Sequence, residues 1–594
     1  MMKIYKLLFV LAALFMGCQL FGQTHVIITA GQSNTDGRVS TRDLPDYIKA
    51  LSTDPVSFKT GAYKYCKIDQ NREDGEFVPF YPKGRITPGL WAYDAVTYYK
   101  LGHALKQDFY VIKYAVGGTS IQYSKHIPPK GKGRYWSADP DFLKNTSSYE
   151  TGGHSLLLSF TDAIDASIDK TLSKLKGGYQ IDAFLWHQGE SDGAHASQYY
   201  DNLKAVIAYV RKHLSEKTGK DYSRLPFIFG SIPTTNRDYS PIVELAMKRI
   251  AEEDPNAYLI DMSKGQLQRD HLHFTAASAE YLGTRMYGIL AKIMHLNMEG
   301  FRVARYLNDK QAAISFTFDD GLAEQATLVA PHFNRLGFKA TFFVNGRSIS
   351  DSAANDGKPR MSWGQLRSMS KEGHEIASHG WQHRNFGKFP LAEIKTDIDK
   401  NDSAIYTELG VKPLTFAYAN NTKVADGMVE VYKHHIASRL LQISLGSKWT
   451  AADLENRLEK LLTTDGWEVT MTHGITYGYD HFKDPDILWN YLKRIKSLED
   501  KIWVGTFYDV AAYTKERKLV TFDIAPIGRG FVISPTLHLD MSLYTEPLTG
   551  LVDQKGIKKI TVTQNGKRLK TVEKDGKYQF NFDPFGGKIT VKTN

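Results

Sequence analysis

The chain has 594 residues, 42% of them hydrophobic and 24% charged, with no low-complexity tract; this length requires about two to four domains rather than a single core. The net charge of +10 is scattered without a Lys/Arg run, which argues against a nucleic-acid reader and leaves solubility or loose attraction to acidic polymers. Of the two cysteines, Cys18 lies in a leader, so Cys66 alone would remain, which excludes an intrachain disulfide and a cysteine-based zinc site.

Residues 1–22 read as a signal peptide. Lys3 and Lys6 precede an apolar run over 7–16, followed by small and polar residues, and the run is too short for a stable membrane anchor. Cleavage after Gly22 predicts a secreted or periplasmic soluble protein with no transmembrane segment. Phe15-Met16-Gly17-Cys18 offers an alternative, a lipid anchor through Cys18, although Phe and Met suit that signal poorly.

Residues 23–300 form the first expected domain. Strand-like runs at 25–30, 109–114, 183–186, 226–230 and 257–262 alternate with helix-like stretches such as 155–175 and 197–215. That alternation predicts a parallel sheet covered on both faces, with ligands at the carboxyl ends of its strands. Those ends carry Gly31-Gln32-Ser33-Asn34, Gly117-Gly118-Thr119, His187-Gln188-Gly189-Glu190-Ser191-Asp192 and Asp270-His271-Leu272-His273. A serine esterase needs a nucleophile, a base, an acid orienting the base, and oxyanion donors. Ser33, His273 and Asp270 can supply the first three; the backbone of Ser33 and of Gly117 or Gly118, with the Gln188 amide, can supply the donors. Taken singly, Ser33 is as well explained as a helix cap, His271 and His273 as surface histidines, and Glu190 and Asp192 as loop caps. Their joint occurrence favours the catalytic set.

These four motifs, in this order, resemble the SGNH-type acetylesterases of the sialate O-acetylesterase and acetylxylan esterase group. The resemblance covers the whole first domain. It implies a flavodoxin-like α/β/α fold, hydrolysis of acetyl esters on sugars, Ser33 as nucleophile, His273 as base, Asp270 as its orienting acid, and Gln188 as an oxyanion donor.

Residues 305–515 repeat β-then-α units, which predicts a parallel barrel, complete or partly open. The run 312–318 is a buried strand ending in Asp319-Asp320-Gly321, followed by a helix over 324–336, a strand over 339–344 and a helix over 363–372. His379 and His383 stand four apart, a spacing that lets two imidazoles on a helical turn share a metal. With Asp320 they would make a His-His-Asp set with open positions. Thr317-Phe318-Asp319-Asp320-Gly321, the stretch 373–383, Val469-Thr470-Met471-Thr472-His473-Gly474 and the strand 502–507 resemble the NodB-type polysaccharide deacetylases. That resemblance implies a divalent metal, zinc, on Asp320, His379 and His383, Asp319 as general base and His473 as general acid. The chain departs from the family at Phe416-Ala417-Tyr418-Ala419-Asn420-Asn421, where an Arg and a Pro are missing. Arg439 is a candidate substitute for the Arg, and the family's Asp-x-x-Asp-Trp motif has no counterpart.

Residues 516–594 show short strand-like pieces and the hairpin signals Asn565-Gly566 and Asp575-Gly576, which predicts a small β-sandwich that packs against the barrel. The combined expectation is a secreted, two-headed carbohydrate deacetylase. Its partner would be an acetylated polysaccharide or oligosaccharide, acetylated xylan or a similar hemicellulose, with no nucleic acid. Two alternatives stand beside it: the metal head as a degenerate sugar-binding module, or as an N-deacetylase of N-acetylglucosamine glycans.

Overall fold

A computed structural model describes residues 23–49, 59–64, 75, 77–79, 90–105, 107–123, 133–145, 154–351, 357–553 and 559–593. The expected leader, with Cys18, and Cys66 lie outside the described residues. The chain divides into two units, Met1–Leu296 and Asn297–Asn594. No helix among the described residues is long and apolar enough to cross a membrane.

The first unit is built on five parallel strands: β1 (Thr24–Gly31), β2 (Tyr110–Ala115), β3 (Tyr179–His187), β4 (Phe227–Gly230) and β5 (Ala257–Ile260). Their spatial order is 2-1-3-4-5, the order of flavodoxin-type sheets. Lys59–Lys64 extends the sheet parallel to β2, and Phe77–Pro79 closes that edge antiparallel. The strands are apolar on both faces because helices cover both. Val26, Ile28, Ile112 and Trp186 pack with residues of helices α1 (Leu156–Lys170) and α2 (Tyr199–Thr218), among them Phe160 and Val206. Ile27, Val111 and Leu185 face the other way, with Leu101 of helix Tyr93–Leu105 and Met286 of helix Ala276–Ile293. Alternate side chains thus serve two cores, as period-2 geometry demands. Fully burying an aliphatic or aromatic side chain of this kind contributes about 1.5–3 kcal/mol. The sheet order reverses beside β1, so the clefts at the carboxyl ends of β1, β2 and β3 open there.

The second unit holds a curled, all-parallel sheet: β6 (Ala312–Asp319), β7 (Thr341–Val344), β8 (Glu375–Ser378), β9 (Thr415–Phe416), β10 (Ala437–Ser438), β11 (Ile443–Ser444), β12 (Trp467–Thr472) and β13 (Ile502–Val504). The order is β10-β9-β8-β7-β6-β12-β11, with β13 also paired to β6. β10 and β11 end the path without pairing to each other, so the barrel is the partly open form. On β6 the apolar Ile314, Phe316 and Phe318 join the core cluster that includes Phe333, Leu366 and Leu492. The alternate residues Ser315, Thr317 and Asp319 are buried polar groups. The helix expected over 324–336 forms, with a π-type turn, Gln325–Val329, running without a break into a short α-helical stretch, Ala330–Arg335.

The tail forms two antiparallel sheets that share one apolar cluster containing Phe301, Phe531, Val562, Phe580 and Val591. Asn565-Gly566 and Asp575-Gly576 both take left-handed φ at their turns. The expected boundary at 516 does not describe this sheet, because Phe301–Val303, from before the barrel, pairs with Leu548–Val552. Two strands absent from the sequence reading, Leu548–Val552 and Lys577–Phe582, complete it.

Candidate functional sites

In the first unit, β1 delivers the chain into Gly31, whose φ of 148° and tight surroundings admit no side chain: a Cβ there would lie 2.2 Å from the His187 carbonyl oxygen. The Gln32 amide donates to that same oxygen at 3.1 Å, so the turn is locked against β3. Ser33 follows, buried, at the start of the four-residue helix Ser33–Asp36. Gly117 packs directly against it, since a Cβ on Gly117 would stand 3.3 Å from the Ser33 Cβ and 2.5 Å from Arg38 Nη2. Gly118 is exposed, with φ of 69° and open space around its Cα.

The loop with Asp270 and His273 is tied to the residue next to Ser33. Asn34 Oδ1 accepts from the Phe274 amide at 3.0 Å, and Asn34 Nδ2 donates to Leu272 O at 3.4 Å and to Glu190 Oε1 at 2.9 Å. Asp270 Oδ2 lies 2.6 Å from His273 Nδ1, and Asp270 Oδ1 accepts from the amides of Leu272 and His273 at 2.9 and 3.0 Å. Partial burial would raise the Asp270 carboxyl, but the two amides and the imidazole outweigh it and hold it at about 2. An ionised Asp270 fixes the proton on His273 Nδ1 and leaves Nε2 as the basic nitrogen. An imidazole oriented in this way can serve as a general base.

The expectation for Gln188 does not hold in this geometry. Both protons of its buried Nε2 are committed, to Thr119 O at 3.0 Å and to Asp192 Oδ2 at 2.5 Å, and Oε1 accepts from Tyr199 OH at 3.2 Å. An amide with its two donors spent has none left for an oxyanion. Gln188 instead ties the β2 loop to the β3 loop, together with Asp192, which accepts from the amides of Ile121 and Gln122. Burial drives the Asp192 carboxyl up to about 6 despite these donors. Glu190, also buried, is lowered because His187 and Asn34 outweigh its burial.

In the second unit the site lies at the carboxyl ends of β6, β8, β10 and β12. One ligand atom each of Asp320, His379 and His383 falls within 4.8 Å of the others, the only such group among the described residues. Asp320 Oδ1 is 3.8 Å from Nε2 of both histidines, is buried, and has no hydrogen-bond partner. His379 Nδ1 bonds to Ala417 O at 2.7 Å, which turns its Nε2 toward Asp320. An orphaned carboxylate oxygen facing two imidazole nitrogens fits a divalent cation. The helical turn expected for the two histidines is not present: His379 directly follows β8, and left-handed backbone at Gly380 (φ 76°) and His383 (φ 54°) brings the rings edge to face, centroids 4.8 Å apart. Burial lowers the His379 imidazole to about 4, which favours the neutral, ligating form.

Asp319 is fully buried and gripped by Arg439, with Nη1 on Oδ1 at 2.7 Å and Nη2 on Oδ2 at 2.5 Å. Burial alone would raise this carboxyl, but Arg439 outweighs it and holds it at about 2. Arg439 also donates to Thr317 Oγ1 at 2.6 Å, and its backbone is anchored on Phe416 O at 2.8 Å. So the arginine missing beside Phe416 in sequence is supplied from the end of β10. His473 Nε2 is 4.0 Å from Asp320 Oδ2 on the far side of the same carboxylate.

Three supporting residues escaped the sequence reading. Gln325 Nε2 donates to the carbonyls of both Asp319 (2.6 Å) and His473 (2.7 Å), joining the ends of β6 and β12. Glu324, one residue earlier, accepts from the amide of Thr476 at 3.0 Å and from its hydroxyl at 2.7 Å. Arg360 donates to the carbonyl of Asp320, whose φ is 71°. No sequence motif marks the first two, because the π-type turn beside them, of a kind that gathers at functional sites, exists only in the fold.

Each half holds an oriented group of titratable side chains: an Asp-His pair in a loop tied to the residue after Ser33, and a carboxylate-histidine cluster in the second unit. Residues 23–292 match the family described as carbohydrate esterase, sialic acid-specific acetylesterase, and residues 307–435 match polysaccharide deacetylase. The two matches follow one another in that order along the chain, and both families consist of hydrolases acting on acetyl esters or amides. It is 32% identical, over 17% of its length and 20% of the relative's, to the peptidoglycan-N-acetylglucosamine deacetylase PgdA of Listeria monocytogenes. It is 30% identical, over 17% of its length and 15% of the relative's, to a bifunctional xylanase/deacetylase of Pseudobutyrivibrio xylanivorans. The chain thus spans a fifth or less of these curated relatives. A solved protein of Arabidopsis thaliana aligns at 19% identity and a TM-score of 0.32, covering 45% of this chain and 98% of that one.

Proposed function

We propose that the protein is an exported, two-site hydrolase that removes acetyl groups from polysaccharide, acetylated xylan or a similar hemicellulose. At the first site, of SGNH type, Ser33 Oγ attacks the acetyl carbonyl while His273 takes its proton. The sugar hydroxyl leaves with that proton, and water then releases acetate from Ser33 by the same base. Backbone amides of Ser33 and Gly117 are the oxyanion donors in this scheme.

At the second site Asp320, His379 and His383 would hold a divalent metal, zinc by the preference of two imidazoles and a carboxylate. When bound, it supplies Lewis-acid polarisation and a lowered water pKa. Asp319 accepts the proton of the attacking water. His473 gives a proton to the departing sugar oxygen or nitrogen, so acetate and a free hydroxyl or amine result.

The observation that carries an active second site is the Arg439 fork on Asp319. A module reduced to sugar binding has no need of a buried carboxylate held ionised next to a ligand cluster. The test is acetate release from acetylated xylan and from N-acetylglucosamine oligomers. Ser33→Ala should abolish one chelator-insensitive route, and His379→Ala or a chelator the other. Acetate release indifferent to all three changes would sink the proposal.

A further inference from the structure

Tyr479 lies beside the second site, and the chemistry above does not use it. It is 72% exposed, yet its ring meets the His473 imidazole edge-on, with centroids 5.2 Å apart and planes at 82°. A tyrosine that filled a core would be covered, and one that merely coated the surface would lack a fixed place. Here the backbone on both sides of the ring is pinned. Glu324 holds the Ile475 and Thr476 amides and the Thr476 hydroxyl. Tyr477 OH donates to Pro359 O at 3.1 Å. Asp480 Oδ1 accepts from the Ser447 amide at 3.1 Å and the Ser447 hydroxyl at 2.6 Å. Gly478 (φ 103°) and Asp480 (φ 47°) flank the tyrosine and set its direction.

We infer that Tyr479 is a platform for a neighbouring pyranose ring of the glycan, the one next to the ring that carries the acetyl group, on the leaving-group side of the second site. This rests on the reading of that site as a deacetylase. His473 protonates the sugar atom that departs, so the sugar, not the acetyl methyl, lies toward His473 and hence toward Tyr479. A pyranose presents an apolar C–H face and a polar rim. A phenol ring covers such a face, and its hydroxyl reaches the rim. Little ordering is needed on binding, because the loop is already fixed and tyrosine has only two side-chain torsions to settle.

The test uses the full, zinc-loaded chain in a Ser33→Ala background, with Tyr479→Ala and Tyr479→Phe. The substrates are an acetylated xylohexaose and N-acetylchitohexaose, each against its monosaccharide. In Tyr479→Ala the hexamer-to-monomer ratio of kcat/KM should fall roughly 2- to 12-fold, the scale of one aromatic contact; in Tyr479→Phe it should stay within about twofold. Calorimetric titration with the unacetylated hexamers should show the same weakening. An unchanged ratio in Tyr479→Ala overturns the inference, and a uniform fall in kcat on both substrate lengths shows that the ring only positions His473. If no substrate releases acetate, the titration separates the two ideas: hexamer binding lost in Tyr479→Ala supports the platform and refutes the deacetylase reading, whereas no binding by the parent chain refutes the platform.

Discussion

Arg439→Met probes the pair on which the second site depends. Arg439 and Asp319 are both buried, and the guanidinium meets both carboxylate oxygens. Two magnitudes bear on its removal. The carboxyl stands at about 2 rather than 3.8, a net stabilisation on the order of 2 kcal/mol. Breaking a buried pair by removing one partner typically costs about 3–5 kcal/mol, because the survivor keeps its full burial penalty. The larger figure should govern, since Asp319 has no solvent to turn to. The sign follows from the depressed carboxyl: the pair's contribution is complete above about pH 4 and is lost as pH falls toward 2. Chemical denaturation with chelator present, which removes any metal contribution, should therefore show a loss of about 3–5 kcal/mol at pH 7 that narrows at pH 3. Asp319→Leu added to Arg439→Met should restore stability to within about 1 kcal/mol while leaving the second site inactive. A single-variant cost below about 1 kcal/mol, or a double variant no more stable than the single, would refute the reasoning.

Gln325→Leu removes both bonds that join the ends of β6 and β12, and should lower kcat at the second site on the order of 10- to 100-fold with metal content unchanged by elemental analysis. Asp270→Asn should cost the chelator-insensitive esterase about 10²- to 10⁴-fold in kcat, measured on acetylated xylan, by freeing the His273 tautomer. In the wild type, Asp270 at about 2 stays ionised above about pH 4, so no step in the pH–rate profile between 5 and 8 should vanish with Asp270→Asn. Gly31→Ala should destabilise the first unit by roughly 1–3 kcal/mol in thermal unfolding, because its Cβ would collide with the His187 carbonyl at a left-handed φ.

Much of both sites was legible because their chemistry sits at strand ends. A buried strand followed by Gly-Gln-Ser-Asn or Asp-Asp-Gly is visible in a linear pattern, and the parallel sheets followed from alternation alone. What was not legible depends on contacts across the fold. Arg439 reaches Asp319 over 120 residues of sequence, so a motif search beside Phe416 finds only a gap. Gln188 has a side chain suited to an oxyanion hole, but its two protons are claimed by Thr119 and Asp192, which no spacing rule anticipates. The spacing of His379 and His383 fits a helix equally well; the left-handed turns at Gly380 and His383 decided otherwise. In the tail, Leu548–Val552 escaped notice because its Thr-Gly centre, Thr549-Gly550, reads as loop until Phe301 and Phe580 are seen to fill the space a side chain would need.

The pairing of Phe301–Val303 with Leu548–Val552 sets a timetable for synthesis. Phe301 leaves the ribosome some 250 residues before its partner Val552. At about 5–20 residues per second that interval is roughly 12–50 s. Throughout it, Phe301 and the strand around it have no sheet to join, while β6 to β13 between them can already assemble from nearer neighbours. The tail core should close last, and its closure has a high contact order. Substitutions at Phe301 or Phe580 should then trap a species with a finished barrel and an open edge, visible as aggregation during expression rather than as a change in either site.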